Sequence, residues 1–97
     1  MVRHIVMFRL AEGSDRAGLG KQFKEAIEAL PSVLPQLKSV SVGLNDGSAE
    51  GNWDIVLTAD CADYADLAAY SAAPAHVACV AIIKPWLAGR VCVDYTL

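Results

Sequence analysis

The chain has 97 residues, a 55% hydrophobic content and a formal net charge of −3, with a mean hydropathy of +0.36. No basic patch accompanies this acidic balance, so nucleic acid is excluded as an expected partner. No apolar run reaches the roughly 18 residues a membrane span needs, so the excess of apolar side chains must be buried within the fold or between subunits.

Residues Val2 to Leu10 read as the first strand. His4, Val6, Phe8 and Leu10 alternate with Ile5 and Met7, so both faces are apolar and the strand is central. Glu12 to Asp15 form a turn with capping residues. From Arg16 to Leu30, Leu19, Phe23, Ile27 and Leu30 recur at helical spacing, with Lys21, Lys24, Glu25 and Glu28 on the outside. Pro31 and Pro35 bracket the exit. Leu37 to Leu44 is a second strand and Trp53 to Ala59 a third. A helix is expected over Asp60 to Ser71, capped by Asp60 or Asp63 and burying Tyr64, Leu67 and Ala68. Pro74 opens a further helix, where its missing N–H is harmless, and that helix runs to about Ile83, ahead of Pro85. Arg90 to Leu97 is the last strand. Trp53 and Trp86 are assigned to core or interface packing.

Residues 1–97 therefore read as a single domain of βαββα(α)β order. This order fits an α+β, ferredoxin-like subunit: a four-stranded antiparallel sheet with its helices on one face. The strands are apolar on the other face as well. Pairing two such sheets in a homodimer would cover it. Cys61, Cys79 and Cys92 are widely spaced and odd in number, without a Cys-x-x-Cys pair. They are expected to be buried free thiols in a reducing compartment, which points to the cytoplasm. No metal or cofactor motif is present: the glycines form no phosphate loop, and no nucleophile elbow occurs.

Four segments together carry a family resemblance: RHIVMFRL, NWDIVLTAD, DYADLAAYSAAPAHVACV and IIKPWLAGRVCVDYTL. The most specific positions are Tyr70, Pro74, His76 and Val77, then Lys84-Pro85 and Val93-Asp94-Tyr95. In these the chain resembles the stress-responsive dimeric A/B barrel (Dabb) family. The resemblance implies a dimeric α+β barrel and, for most members, no assigned reaction. The tyrosine and histidine six residues apart across a proline are similar to those of olivetolic acid cyclase, a plant polyketide cyclase that closes a ring by aldol chemistry. Its first-strand histidine matches His4. Ala73 departs from the pattern, because relatives often carry histidine directly before the proline.

Two rings then stand out as candidates for chemistry. In the first turn of the helix opened by Pro74, His76 would be kept neutral by the helix dipole and could act as a base. Tyr70 would donate a hydrogen bond to a developing enolate oxygen. The expected catalytic set is His76, Tyr70 and His4. Val6, Phe8, Phe23, Ile27 and Val80 are expected to line a pocket between helices and sheet for a small hydrophobic carbonyl compound, with no cofactor. The alternatives are a non-catalytic, ligand-binding stress protein and a cofactor-free monooxygenase.

Overall fold

The computed structural model describes residues Met1 to Leu97. Strand β1 (Val2–Leu10) leads through a turn to helix α1 (Arg16–Glu28) and a 3₁₀ turn at Leu30–Ser32. Strands β2 (Leu37–Leu44) and β3 (Ile55–Cys61) follow, then helices α2 (Tyr64–Ala72) and α3 (Pro74–Ile83), a second 3₁₀ turn and strand β4 (Leu87–Thr96). The four strands form one sheet in the order β2-β3-β1-β4, and every pairing is antiparallel. This is the ferredoxin-like α+β arrangement expected from the order of elements. No single helix is long and apolar enough to cross a membrane.

Strand alternation decides which side chains meet the helices. Val2, His4, Val6, Phe8 and Leu10 are all buried, as are Ile55, Leu57, Ala59 and Cys61. Phe23 and Ile27 of α1, Leu67 and Tyr70 of α2, and Cys79 and Ile83 of α3 close over them. The turn before α1 depends on Gly13 at φ +81°, which a residue with a side chain rarely adopts. Asp15 caps α1 by accepting the Gly18 N–H at 3.0 Å. The far end of α1 is tied to β2: Lys24 donates to Glu28 and to the Val42 carbonyl, and Glu28 accepts the Val42 N–H. The Lys24 ammonium, then the Val42 amide, hold the Glu28 carboxyl below its usual range.

The opposite face of the sheet is uncovered. Met7, Val91, Val93 and Tyr95 lie on it, and all are exposed. Their common face follows from the register, which pairs Met7 with Val91, Ile5 with Val93 and Arg3 with Tyr95.

Several expectations need correction. Helix α2 starts at Tyr64, not Asp60, with Asp63 capping it through the Asp66 N–H at 2.8 Å. Asp60 stays in β3, paired opposite Arg3. Two bonds of 2.9 Å join the Arg3 guanidinium to both carboxylate oxygens, and the Ser39 hydroxyl adds a third at 3.3 Å. The Arg3 guanidinium keeps the Asp60 carboxyl low against the opposing effect of burial. Tyr64 is exposed rather than buried, and Trp86 is exposed on the single chain, which rules out the core and keeps the interface half of its assignment. Strand β4 begins three residues earlier than expected, at Leu87, because its pairing with β1 continues past a register irregularity at Arg9/Leu10. Cys92 is exposed rather than buried, because β4 is an edge strand beyond the cover of the helices.

Candidate functional site

The break between α2 and α3 has a clear backbone cause. Ala73 precedes a proline, which disfavours helical geometry and pushes it to an extended conformation, φ −61° and ψ 134°. The two helix axes diverge there by 62°. Pro74 and the turn deprive the last carbonyls of α2 of their usual amide partners. The Ala73 N–H takes the Tyr70 carbonyl at 3.2 Å. The His76 ring takes the Ser71 carbonyl, with Nδ1 at 3.0 Å.

That bond sets the chemistry of His76. A carbonyl only accepts, so Nδ1 carries the proton and the neutral ring keeps its lone pair on Nε2. Burial lowers the His76 pKa; the Ser71 bond opposes the shift, and His4 and Arg90 add to it weakly. The ring is therefore a neutral base around pH 7.

His4 sits on the sheet beneath. It is 7% exposed, and its Nδ1 donates to the Asp94 carboxylate at 2.5 Å. Strand pairing sets this contact, because His4 and Asp94 are direct partners across β1 and β4. Burial raises the Asp94 carboxyl, but hydrogen bonds from His4 and Cys92 outweigh it and keep the group low. The Cys92 thiol lies 3.3 Å from His4 Nδ1 and donates to Asp94 at 3.4 Å. Burial, then this bond to the carboxylate, pushes the thiol up.

A cleft of about 270 Å³ opens between α3, the end of α2 and the sheet. Its walls are His4, Val6, Phe8, Leu57, Ser71, His76, Val80, Leu87 and Arg90. Of the residues expected here, the structure brings His4, Val6, Phe8, His76 and Val80 together. It does not bring Phe23 and Ile27, which are fully buried in the core on α1. Helical periodicity marked them as inward-facing but could not tell a core wall from a cavity wall. Tyr70 is also off the cleft surface. Its ring is fully buried against His76, with centroids 4.5 Å apart, and its hydroxyl has no hydrogen-bond partner. Burial raises its pKa, with smaller contributions from Cys61 and Cys79, so it remains a neutral donor.

Sequence reasoning missed Asp94, Cys92 and Arg90. The signal for Asp94 is the antiparallel pairing of the first and last strands, which is visible only once a register is assigned. Two larger hollows, about 430 and 700 Å³, surround the β2–β3 connection. They are more open and are lined by carboxylates such as Asp46, Glu50 and Asp54 but by no histidine; the smaller cleft is the one that brings His4 and His76 together.

A ferredoxin-like α+β fold with two histidines on one apolar cleft defines the class of this protein. More particularly, the chain belongs to the stress responsive A/B barrel domain (Dabb) family, whose model matches residues 2–97. A dimeric protein of unknown function and ferredoxin-like fold from Bacteroides fragilis is similar at 34% identity and a TM-score of 0.92, over 99% of this chain and 95% of its own. A dimeric ferredoxin-like protein of unknown function from Thermobifida fusca is 36% identical with a TM-score of 0.86, over 99% and 90%. A hydroxynitrile lyase from Passiflora edulis shares the fold at 18% identity and a TM-score of 0.80, over 99% and 92%. No curated protein matches the chain.

Proposed function

We propose that this protein binds a small hydrophobic carbonyl compound in the His4–His76 cleft and moves a proton at carbon without a cofactor, in cyclase- or isomerase-like chemistry. His76 is the base, with His4 as an auxiliary group on the sheet; Tyr70, buried against the His76 ring, would serve as the oxyanion donor once its hydroxyl is opened to the cleft. The observation that carries this reading is the His76 Nδ1–Ser71 bond, which leaves Nε2 as an uncommitted acceptor on the cleft wall. Support for Tyr70 comes from its unpartnered hydroxyl and its contact with the His76 ring. The resemblance of the tyrosine–proline–histidine spacing to that of olivetolic acid cyclase adds to it.

The protein is further proposed to be a homodimer joined through its uncovered sheet faces, giving a dimeric α+β barrel with the clefts on the outside. Apolar side chains on that face support this, as do the dimeric relatives. Three free cysteines fit a reducing compartment such as the cytoplasm. A ligand carrier is the second reading, favoured by the one observation that the Tyr70 hydroxyl is sealed off from the cleft.

Deuterium exchange at the α-carbon of small aryl ketones in D₂O, followed by NMR, tests proton abstraction directly. The native chain should accelerate exchange and His76→Gln should lose about 10²–10⁴-fold of that acceleration, the usual contribution of a positioned base. Equal exchange by the two proteins, with ketone binding retained, supports the carrier instead.

A further inference from the structure

We propose that His4, Cys92 and Asp94 form a binding site for a single thiophilic divalent cation of the zinc class. The inference rests on geometry and is independent of the proton-transfer reading. Their donor atoms all lie within 4.8 Å of one another. Cys92 Sγ is 3.3 Å from His4 Nδ1 and 3.4 Å from Asp94 Oδ1. Zinc–ligand bonds of about 2.0–2.3 Å at tetrahedral angles place neighbouring donors about 3.3–3.6 Å apart. Two sides of the triangle thus have the right length already.

The third side, Nδ1 to Oδ1, is 2.5 Å because a proton occupies it. A cation replaces that proton, which passes to Nε2 or to water, and the thiol proton leaves to water. The side must then lengthen by less than about 1 Å. Asp94 has room for this, since its side chain is about one-third exposed, at 36%. The ladder preorganises the set: His4 pairs with Asp94, and Cys92 pairs with Val6, two residues along the same face. The donors lie on the helix side of the sheet at its outer edge, so sheet-face pairing leaves Cys92 and Asp94 open to solvent, with His4 buried beneath them.

The donor types select the ion. One nitrogen, one sulfur and one carboxylate suit zinc or cobalt, whereas magnesium and calcium need several oxygen ligands. Three protein ligands leave one position for water or an added ligand. Arg90 opposes binding, since its positive charge acts on both Cys92 and Asp94.

Cobalt titration of the chelator-treated full-length protein tests the site. One cobalt per chain should bind with a thiolate-to-cobalt charge-transfer band, and zinc should displace it. Cys92→Ser should abolish the band and weaken binding beyond the roughly 10–100-fold that loss of an outer-shell contact costs. Cys92→Ala serves if the serine variant fails to fold. Asp94→Asn should weaken binding with the band retained, and Arg90→Ala should tighten it severalfold. No band at millimolar cobalt overturns the proposal, as does a band that survives loss of Cys92.

Discussion

The rings of Tyr70 and His76 lie in contact, 4.5 Å between centroids and tilted by 51°, yet only the imidazole reaches the cleft. The phenol hydroxyl is buried without a partner. An unsatisfied buried hydroxyl costs about 1–3 kcal/mol. Tyr70→Phe is therefore expected to hold or raise stability by about 1 kcal/mol in denaturant unfolding. The same substitution should cost about 10²–10³-fold in turnover if the hydroxyl serves as the oxyanion donor. Falling stability with unchanged turnover would remove Tyr70 from the mechanism.

Protonation of His76 gives a pH profile with a defined sign. Burial holds its folded pKa below the ordinary 6.5. Between those two values the unfolded chain binds more protons than the folded one. Stability should therefore fall as pH drops through 6.5, flattening below the lowered folded value. His76→Gln should remove this part of the slope. Asp60, Asp94 and Glu28 are held low in the folded chain, so they add a separate loss at more acid pH, as pH falls through their folded values. Thermal unfolding across the pH range reads both, and an unchanged slope in His76→Gln would refute the assignment.

Phe23 packs edge-on against Phe8, with ring centroids 5.4 Å apart, and is fully buried. Phe23→Ala should cost about 3–5 kcal/mol, as a large core deletion does. Ile27→Val, on the same helix face, should cost only about 0.5–1.5 kcal/mol. Because Ile27 does not line the cleft, ketone binding should be unchanged in the valine variant by calorimetry. A large loss of affinity there would put Ile27 back on the cavity wall.

Val93 is 63% exposed on the uncovered sheet face. A charge placed there would be buried without a partner in a sheet-to-sheet dimer, at a cost of several kcal/mol. Val93→Glu should yield monomers by sedimentation velocity. A variant that stays dimeric at the native affinity would show that the subunits associate through another surface.

Local pattern and tertiary context divide this protein between them. Alternation along Val2–Leu10 and the 3.6-residue spacing of Leu19, Phe23 and Ile27 are properties of single segments, so both elements are legible in the sequence. Pro74 acts on its immediate neighbours, so the α2–α3 break is legible too. The placement of Asp60 is not: a capping residue and a strand-end residue look alike until Arg3 lies opposite. Likewise Asp94 looks like one acidic residue among several in the chain until the register of β4 on β1 sets it against His4. The order of the elements and the candidate histidines were legible in the chain, with the starts of α2 and β4 displaced by a few residues. Tertiary structure alone decided that Phe23 and Ile27 are core, that Tyr70 is sealed, and that His4, Cys92 and Asp94 converge. Periodicity reports only which side of an element turns inward, whereas cavities and donor clusters form between elements far apart in the chain.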